Sequence, residues 1–534
     1  MPGLGHHGGA TPMDQRFIEA VRASFPAGGA TLALGAPMHA GECLPEPLVG
    51  IPLAMMNRHG LIAGATGTGK TKSLQLLAEQ LSAAGVPVFL ADLKGDLSGL
   101  GAPGQPNERI AQRAAETGRA WAPLACPVEF LSLTGAKGAQ VRATVSSFGP
   151  LLLARVLGLN ATQSSVLAMV FKYCDDRGLP LLDFADLRAV LQHLTGDGAA
   201  DLADYGGMSK ATVGVLLREM VALEQQGAEA FFGEPEFELE DLLQVERDGR
   251  GLVTVLELAD VQDRPALFST FMMWMLARLY AELPEVGDVE KPKLVFFFDE
   301  AHLLFDGASD DFLAQVEQVV RLIRSKGVGV FFVTQSPKDV PADVLGQLGH
   351  RVQHALRAFT PDDEKALRAA ARTFPKTEFY DVEETLTTLG IGEALVTVLG
   401  PKGVPTPPVA TRMVPPVSRM GPLTEDELAQ RLAASTQVRA YAEAIDRESA
   451  RELLAARMTA AAAGAEGEPK RAAAGEGAAP AKRRRAAPEP PGALEQVLRS
   501  PLARTIAGQV TRGLMGALLG TPPRRRSRPR RGLF

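Results

Sequence analysis

The chain has 534 residues, enough for about three domains or for one large domain with insertions. Its 46% apolar and 22% charged residues exclude a chain disordered throughout and suit a sizeable core. The net charge of −6 conceals an asymmetry, because residues 466–534 carry 15 Lys and Arg against 5 Asp and Glu, leaving an acidic body and a basic tail.

Residues 1–30 are rich in Gly and Ala, contain His6 and His7, and read as loosely ordered. From Thr31 to Asn57 short apolar pieces alternate with Gly and Pro, a pattern of small strands. Gly60–Ala63, the loop GATGTGKT and Lys72–Ala84 then read as strand, loop and helix. Val86–Asp92 reads as a buried strand, and Val128–Leu133 as a shorter one. Four segments within 150–232 carry apolar residues at i, i+3, i+4 spacing and predict a helical insertion. Leu252–Leu258 is strand-like, Pro265–Leu283 helical, and Lys293–Phe298 a fully apolar strand. Asp311–Ser325 predicts a helix, Val328–Val333 a strand, and Val352–Phe359 and Ala394–Leu399 further strands. Alternating strands and helices imply an α/β fold with a mainly parallel sheet covered on both faces. Residues 461–480 hold nine Ala and four Gly and read as a low-complexity linker. KRRR at 482–485 follows. Ser500-Pro501 then opens a short amphipathic helix with Leu502, Ile506, Val510, Leu514 and Leu518 on one stripe. The chain ends in RRRSRPRR and GLF.

Cys43, Cys126 and Cys174 are scattered and odd in number, so they suit a reducing compartment rather than a disulfide framework or a zinc site. No apolar run reaches the ~18 residues of a membrane span. The first residues lack the basic-then-apolar pattern of a signal peptide. The expected location is cytoplasmic.

The strongest chemical signal is Gly64-Ala65-Thr66-Gly67-Thr68-Gly69-Lys70-Thr71, a full G-x-x-x-x-G-K-[ST]. Its glycines let backbone N–H groups curl around phosphate oxygens at a helix N-terminus. Lys70 is expected to reach the β- and γ-phosphates of ATP, and the Thr71 hydroxyl to bind Mg²⁺. The partner motif is the apolar strand ending in Asp299-Glu300. Asp299 is expected to hold Mg²⁺ through a water, and Glu300 to orient and polarise the attacking water, since phosphoryl transfer depends on positioning and charge stabilisation. Gln335, at the end of the next strand, is the expected sensor of γ-phosphate and water. Arg321 and Arg324 end the helix before that strand; a cation there can satisfy the helix dipole or reach a neighbouring subunit's ATP site. Asp92-Leu93-Lys94-Gly95-Asp96 follows the second strand, where acids can approach the phosphates and Lys94 faces the same rim.

Residues 50–400 resemble the HerA/FtsK branch of RecA-like motor ATPases. The segments RHGLIAGATGTGKT, FLADLKGDLSGL, LLLARVLGLNATQSSVL, FFFDEAHLLF and IRSKGVGVFFVTQSP together are similar to the bacterial HerA-like family of unknown function with a C-terminal HerA-type domain. The resemblance implies a RecA-like P-loop core in two parts, 58–149 and 246–412. An N-terminal segment (1–57) and a helical insertion (150–245) accompany it, followed by a helical segment (413–460), a linker (461–500) and the basic tail (501–534). It further implies a hexameric ring that hydrolyses ATP and pumps double-stranded DNA, with Arg324 acting across the subunit interface. Some 60 residues precede Gly64, too few for the β-barrel through which HerA meets its nuclease partner, so that partnership is not expected. Two other readings stand beside the DNA translocase. One is an ATP-driven remodelling factor without DNA. The other is a peripheral membrane motor of the conjugation or secretion type, with the tail as its anchor. For the tail itself three readings stand open: docking of its apolar stripe on the ATPase body or on a neighbouring subunit's tail, binding of nucleic acid through its arginines, and binding of anionic membrane.

Overall fold

A computed structural model describes residues 12–25, 29–202, 204–305, 310–400 and 402–466. The tail expectations, including the amphipathic helix from Pro501, lie outside these residues. Strands in chain order are β1 Thr31–His39, β2 Glu42–Cys43, β3 Val49–Pro52, β4 Gly60–Ala63, β5 Val88–Asp92, β6 Val128–Ser132 and β7 Ala139–Gln140. They continue with β8 Val253–Glu257, β9 Leu294–Phe298, β10 Val328–Thr334, β11 His350–His354, β12 Glu393–Thr397 and β13 Val409–Met413. All belong to one sheet, in the order β2-β1-β13-β12-β11-β4-β10-β9-β5-β8-β6-β7, with β3 paired to β1. From β11 to β7 every neighbouring pair is parallel. On the other side β12, β13 and β1 add antiparallel strands. The strands before β4 therefore extend the edge of the core sheet.

Both faces of the parallel part are buried, which is why β9 reads Leu-Val-Phe-Phe-Phe without a polar residue. Successive side chains point to opposite faces. Phe296 and Phe298 join one apolar layer with Phe332, Phe89, Phe271 and Trp274. Val295 and Phe297 join the other, with Phe331, Leu74, Leu77 and Leu81. Helix Lys70–Ala83 covers this second face. Helices Pro265–Glu282 and Asp310–Ile323 cover the first.

Between β7 and β8 the chain runs through helices Val145–Val156, Ala161–Arg177, Phe184–Thr195 and Lys210–Gln225. The first is broken where Gly149, at φ 76°, precedes Pro150. Asn160 and Asp183 cap the next two through reciprocal side-chain bonds. Their apolar faces (Leu167, Val170, Leu187, Val190, Leu216) merge into the first layer.

Two expectations need correction. The N-terminal stretch contains a helix, Pro12–Ser24, because Phe17 and Val21 share an apolar face. Phe17 is fully buried, stacked on His39 at 4.7 Å and meeting Phe379 edge-on at 5.3 Å. The stretch read as linker from 461 begins inside helix Ala450–Glu466, since alanine is the strongest helix former.

Glu79, on helix Lys70–Ala83, clamps the segment after β13. Its buried carboxylate accepts N–H bonds from Val417 (2.8 Å) and Ser418 (3.1 Å) and one from the Ser418 hydroxyl (2.8 Å). Burial pushes its pKa up to about 7, against these bonds. The folded chain thus holds an extra proton between the ordinary 4.5 and about 7. That stabilising contribution is fully present below this window and lost as pH rises through it. Raising pH from about 6 to about 8 is expected to lower the melting temperature of the wild type more than that of Glu79→Gln. A parallel fall in both proteins would refute the assignment. Phe17→Ala is expected to cost about 3–5 kcal/mol in urea unfolding; a loss below about 1 kcal/mol would mean that the Pro12–Ser24 helix is not docked.

Candidate nucleotide site

Because β4, β10 and β9 are parallel neighbours, the loops that follow them open on one edge of the sheet. Ala63 lies opposite Thr334, and Phe298 opposite Phe332. The loop Gly64–Gly69 leaves β4 and enters helix Lys70–Ala83, whose N-terminus has no side-chain cap. The first-turn N–H groups of a helix have no intrahelical acceptor, so here they are available to an anion.

The loop is held from outside itself. Gly64 N–H donates to Thr334 O (3.3 Å), Ala65 N–H to Ala355 O (2.8 Å), and Gly392 N–H to Thr68 O (2.9 Å). Gly67 at the apex takes φ 77°, a conformation that favours glycine. A Cβ on Gly64 would fall 2.5 Å from His354 Cβ, so only glycine fits there.

His354 is a residue the sequence reading missed. It is fully buried beneath the loop, its Nε2 2.9 Å from Ser73 Oγ and its Nδ1 2.8 Å from Glu393 O. Burial, with Lys70 nearby, pushes its pKa down to about 4, so it is a neutral strut. Nothing in the sequence around His354 marks it, because it meets the loop only across the sheet.

The Lys70 ammonium donates to Ala65 O at 3.2 Å, across the mouth of the loop. Burial pulls its pKa down, while Glu300 and Asp299 oppose that shift. Asp299 and Glu300 directly follow β9 and are 3% and 5% exposed. Asp299 Oδ1 accepts the Glu300 N–H at 3.0 Å, whereas Oδ2 has no hydrogen-bond partner among the described residues. Burial, reinforced by Glu300, pushes the Asp299 pKa up to about 7. Ala301 N–H bonds to Val333 O (2.9 Å), and Glu300 turns through φ 48°, a strained value for a non-glycine residue. Lys94 pairs with Glu300 Oε1, and His302 Nδ1 lies 3.4 Å from Oε2. Nearby, burial pushes Asp92 up to about 6 and Glu257 up to about 7. A cation bound among these buried acids would offset the desolvation that pushes their pKa values up.

Gln335 is exposed and lines a cleft of about 600 Å³ together with Ala65, Thr66 and His302. Asp339 fixes the turn beneath it by accepting from Thr334 Oγ1 (2.8 Å) and Ser336 N–H (2.9 Å). Gly64–Thr71, Asp299, Glu300 and Gln335 are thus brought to one edge. Arg324 is not. It lies in the turn Arg324–Lys326 before β10, at the opposite edge. The seven residues of β10 separate the two edges by roughly 20 Å. Arg324 is exposed and makes no ion pair among the described residues; Arg58 and Asp288 are its nearest charges.

These residues fit a Mg²⁺–nucleotide. The open helix N-terminus and the glycine cradle suit a phosphate chain. Thr71 and the unpartnered Asp299 oxygen form the small oxygen donor set that Mg²⁺ takes beside phosphate.

The chain matches the model of the helicase HerA-like C-terminal family over residues 39–528. A probable helicase, MJECL08 of Methanocaldococcus jannaschii, is 28% identical over 151 residues, which is 27% of this chain and 28% of that protein. The match thus spans just over a quarter of the curated relative. Among solved structures, the bacterial conjugative coupling protein TrwBdeltaN70 aligns with 75% of this chain and 92% of its own, at 15% identity and a TM-score of 0.48. VirB4 of Thermoanaerobacter pseudethanolicus aligns with 72% of this chain and 96% of its own, at 16% identity and a TM-score of 0.44. With the P-loop strand beside β10, with β10 beside β9 and the two acids that follow it, and with 39–528 matched, this chain belongs to the helicase HerA-like C-terminal family.

Proposed function

We propose that the protein is an ATP-hydrolysing motor that works as a homo-oligomeric ring, with six subunits expected, and moves along double-stranded DNA. The observation that carries the ATPase reading is the convergence of Lys70, Asp299 and Glu300 on the uncapped helix N-terminus, with Gln335 directly after β10, the strand between β4 and β9. The loop N–H groups and Lys70 bind the β- and γ-phosphate oxygens. Mg²⁺, when bound at Thr71 and through a water at Asp299, neutralises charge across the two phosphates. Glu300 orients the attacking water and accepts its proton. Gln335 contacts both the γ-phosphate and that water. The choice of DNA rests on family membership and on the basic tail, whose affinity for a polyanion grows by counterion release. The apolar stripe from Leu502 to Leu518 favours a second reading, a motor peripheral to an anionic membrane. Among the described residues no helix is long and apolar enough to cross a bilayer.

Hydrolysis by the full chain, with and without duplex DNA, tests this directly. Duplex DNA is expected to stimulate turnover. Lys70→Ala is expected to abolish hydrolysis and weaken nucleotide binding, because the charge holding the phosphates is gone. Glu300→Gln is expected to abolish hydrolysis while ATP stays bound. Unchanged turnover with DNA would remove the translocase reading, and near-normal turnover of Glu300→Gln would remove the ATPase assignment.

Arg324, remote from its own site, is proposed to complete the site of the adjacent subunit, where such a group is worth about 10³–10⁵ in rate. Arg324→Ala should assemble and bind ATP yet hydrolyse poorly. Mixing it with Lys70→Ala should restore part of the activity, because some interfaces then join an intact P-loop to an intact arginine. No rescue between exchanging subunits would leave Arg324 as a helix-end cation only.

A further inference from the structure

The loop after β5 is built around one lysine. Asp92 Oδ1 accepts the N–H groups of Lys94 (3.2 Å) and Gly95 (2.8 Å), and its Oδ2 accepts that of Leu97 (2.8 Å). Gly95 takes φ 71°, which lets the turn close. Gln262, from the segment after β8, donates to Leu93 O. The backbone on both sides of Lys94 is thus fixed, although half of the Lys94 side chain is in solvent (49%). A half-exposed ion pair contributes little to stability. So much anchoring is not needed to hold a surface lysine.

What the anchoring does is aim the ammonium at Glu300. Lys94 takes Oε1, and Oε2 keeps no hydrogen-bond partner among the described residues. Glu300 is 5% exposed, follows Asp299 directly and sits in a left-handed turn. Without a counter-ion, repulsion from Asp299 and the poor solvation of a buried carboxylate would both favour rotation of the side chain out of the site. With Oε1 held by Lys94, and with Oε2 making no hydrogen bond among the described residues and lying 3.4 Å from the His302 ring, the carboxylate is fixed in direction with one oxygen open to a water.

We propose that Lys94 is a positioning residue for Glu300, holding Oε1 so that Oε2 faces the attacking water. The proposal rests on the ATPase reading above and names what orients its general base. Lys94 acts through Glu300; the bonds made and broken remain those of ATP hydrolysis.

The test is steady-state hydrolysis and ATP affinity of the full chain carrying Lys94→Met. The expected result is a kcat at least about tenfold lower, with KM and ATP affinity changed by less than about twofold, the pattern of a lost transition-state interaction. Lys94→Arg should recover most of the rate, because a cation still reaches the carboxylate. In single-turnover assays run long enough to read the residual rate of Glu300→Gln, adding Lys94→Met should lower that residual rate by less than about twofold, since the two act as one unit. Should Lys94→Met lose its cooperative melting transition, Lys94→Gln carries the same expectations. Normal turnover, faster turnover, or an undiminished loss in the Glu300→Gln background would each overturn the assignment. Failure of the wild type to hydrolyse ATP would instead overturn the ATPase reading on which it rests.

Discussion

The parallel register of β4, β10 and β9 is the constraint on which the site depends. Three apolar strands, buried on both faces, must lie side by side for their layers to close, and their direction sends all three following loops to one edge. The P-loop, the Asp299-Glu300 pair and Gln335 therefore meet without any direct bond having to draw them together. The same register sends the turn carrying Arg324 to the far edge. The role proposed for Arg324 therefore needs a second copy of the chain beside the first.

Electrostatics then shape what the edge can do. Asp92, Glu257 and Asp299 are all buried and all have their pKa values pushed up by that burial. The nearby cations are Lys70 and Lys72, both pulled down by burial, Lys137 beside Glu257, and Lys94, which its bond to Glu300 and the surrounding acids hold above the ordinary value despite desolvation. Burial thus makes ionisation of these acids costly deep in the site. A divalent cation would relieve the Asp299 side, and Lys94 relieves the Glu300 side. The nucleotide's own charge would then meet the helix N-terminus and Lys70.

Rigidity comes from the opposite side of the loop. His354, neutral and fully buried, fills the space beneath Gly64, and Ser73 and the Glu393 carbonyl lock its ring. Ala355 and Gly392 bond to the loop from β11 and from the turn before β12. The antiparallel extension of the sheet is therefore part of the phosphate cradle, and the Glu79 clamp on Val417 and Ser418 ties the end of that extension to the P-loop helix.

Local chemistry made much of this protein legible. A full P-loop motif needs only its own glycines and Lys70, and a five-residue apolar strand followed by Asp299-Glu300 announces a buried strand that delivers two acids to its end. The alternation of strands with helices, and the four helices between β7 and β8, follow from periodicity alone. Other features were not legible, and for a common reason. Phe17 orders its helix through rings from β1 and from the segment near Phe379; His354 meets the loop across the sheet; Lys94 finds Glu300 more than 200 positions along the chain. His354 and Lys94 leave no periodic trace near themselves, and Phe17 leaves only its i, i+4 pairing with Val21. The sequence by itself determined the chemistry available, namely a phosphate-binding loop, a pair of acids and a set of cations. Only the tertiary structure decided which cation serves which acid and which arginine cannot serve its own site, because strand order and direction, rather than spacing along the chain, set those distances.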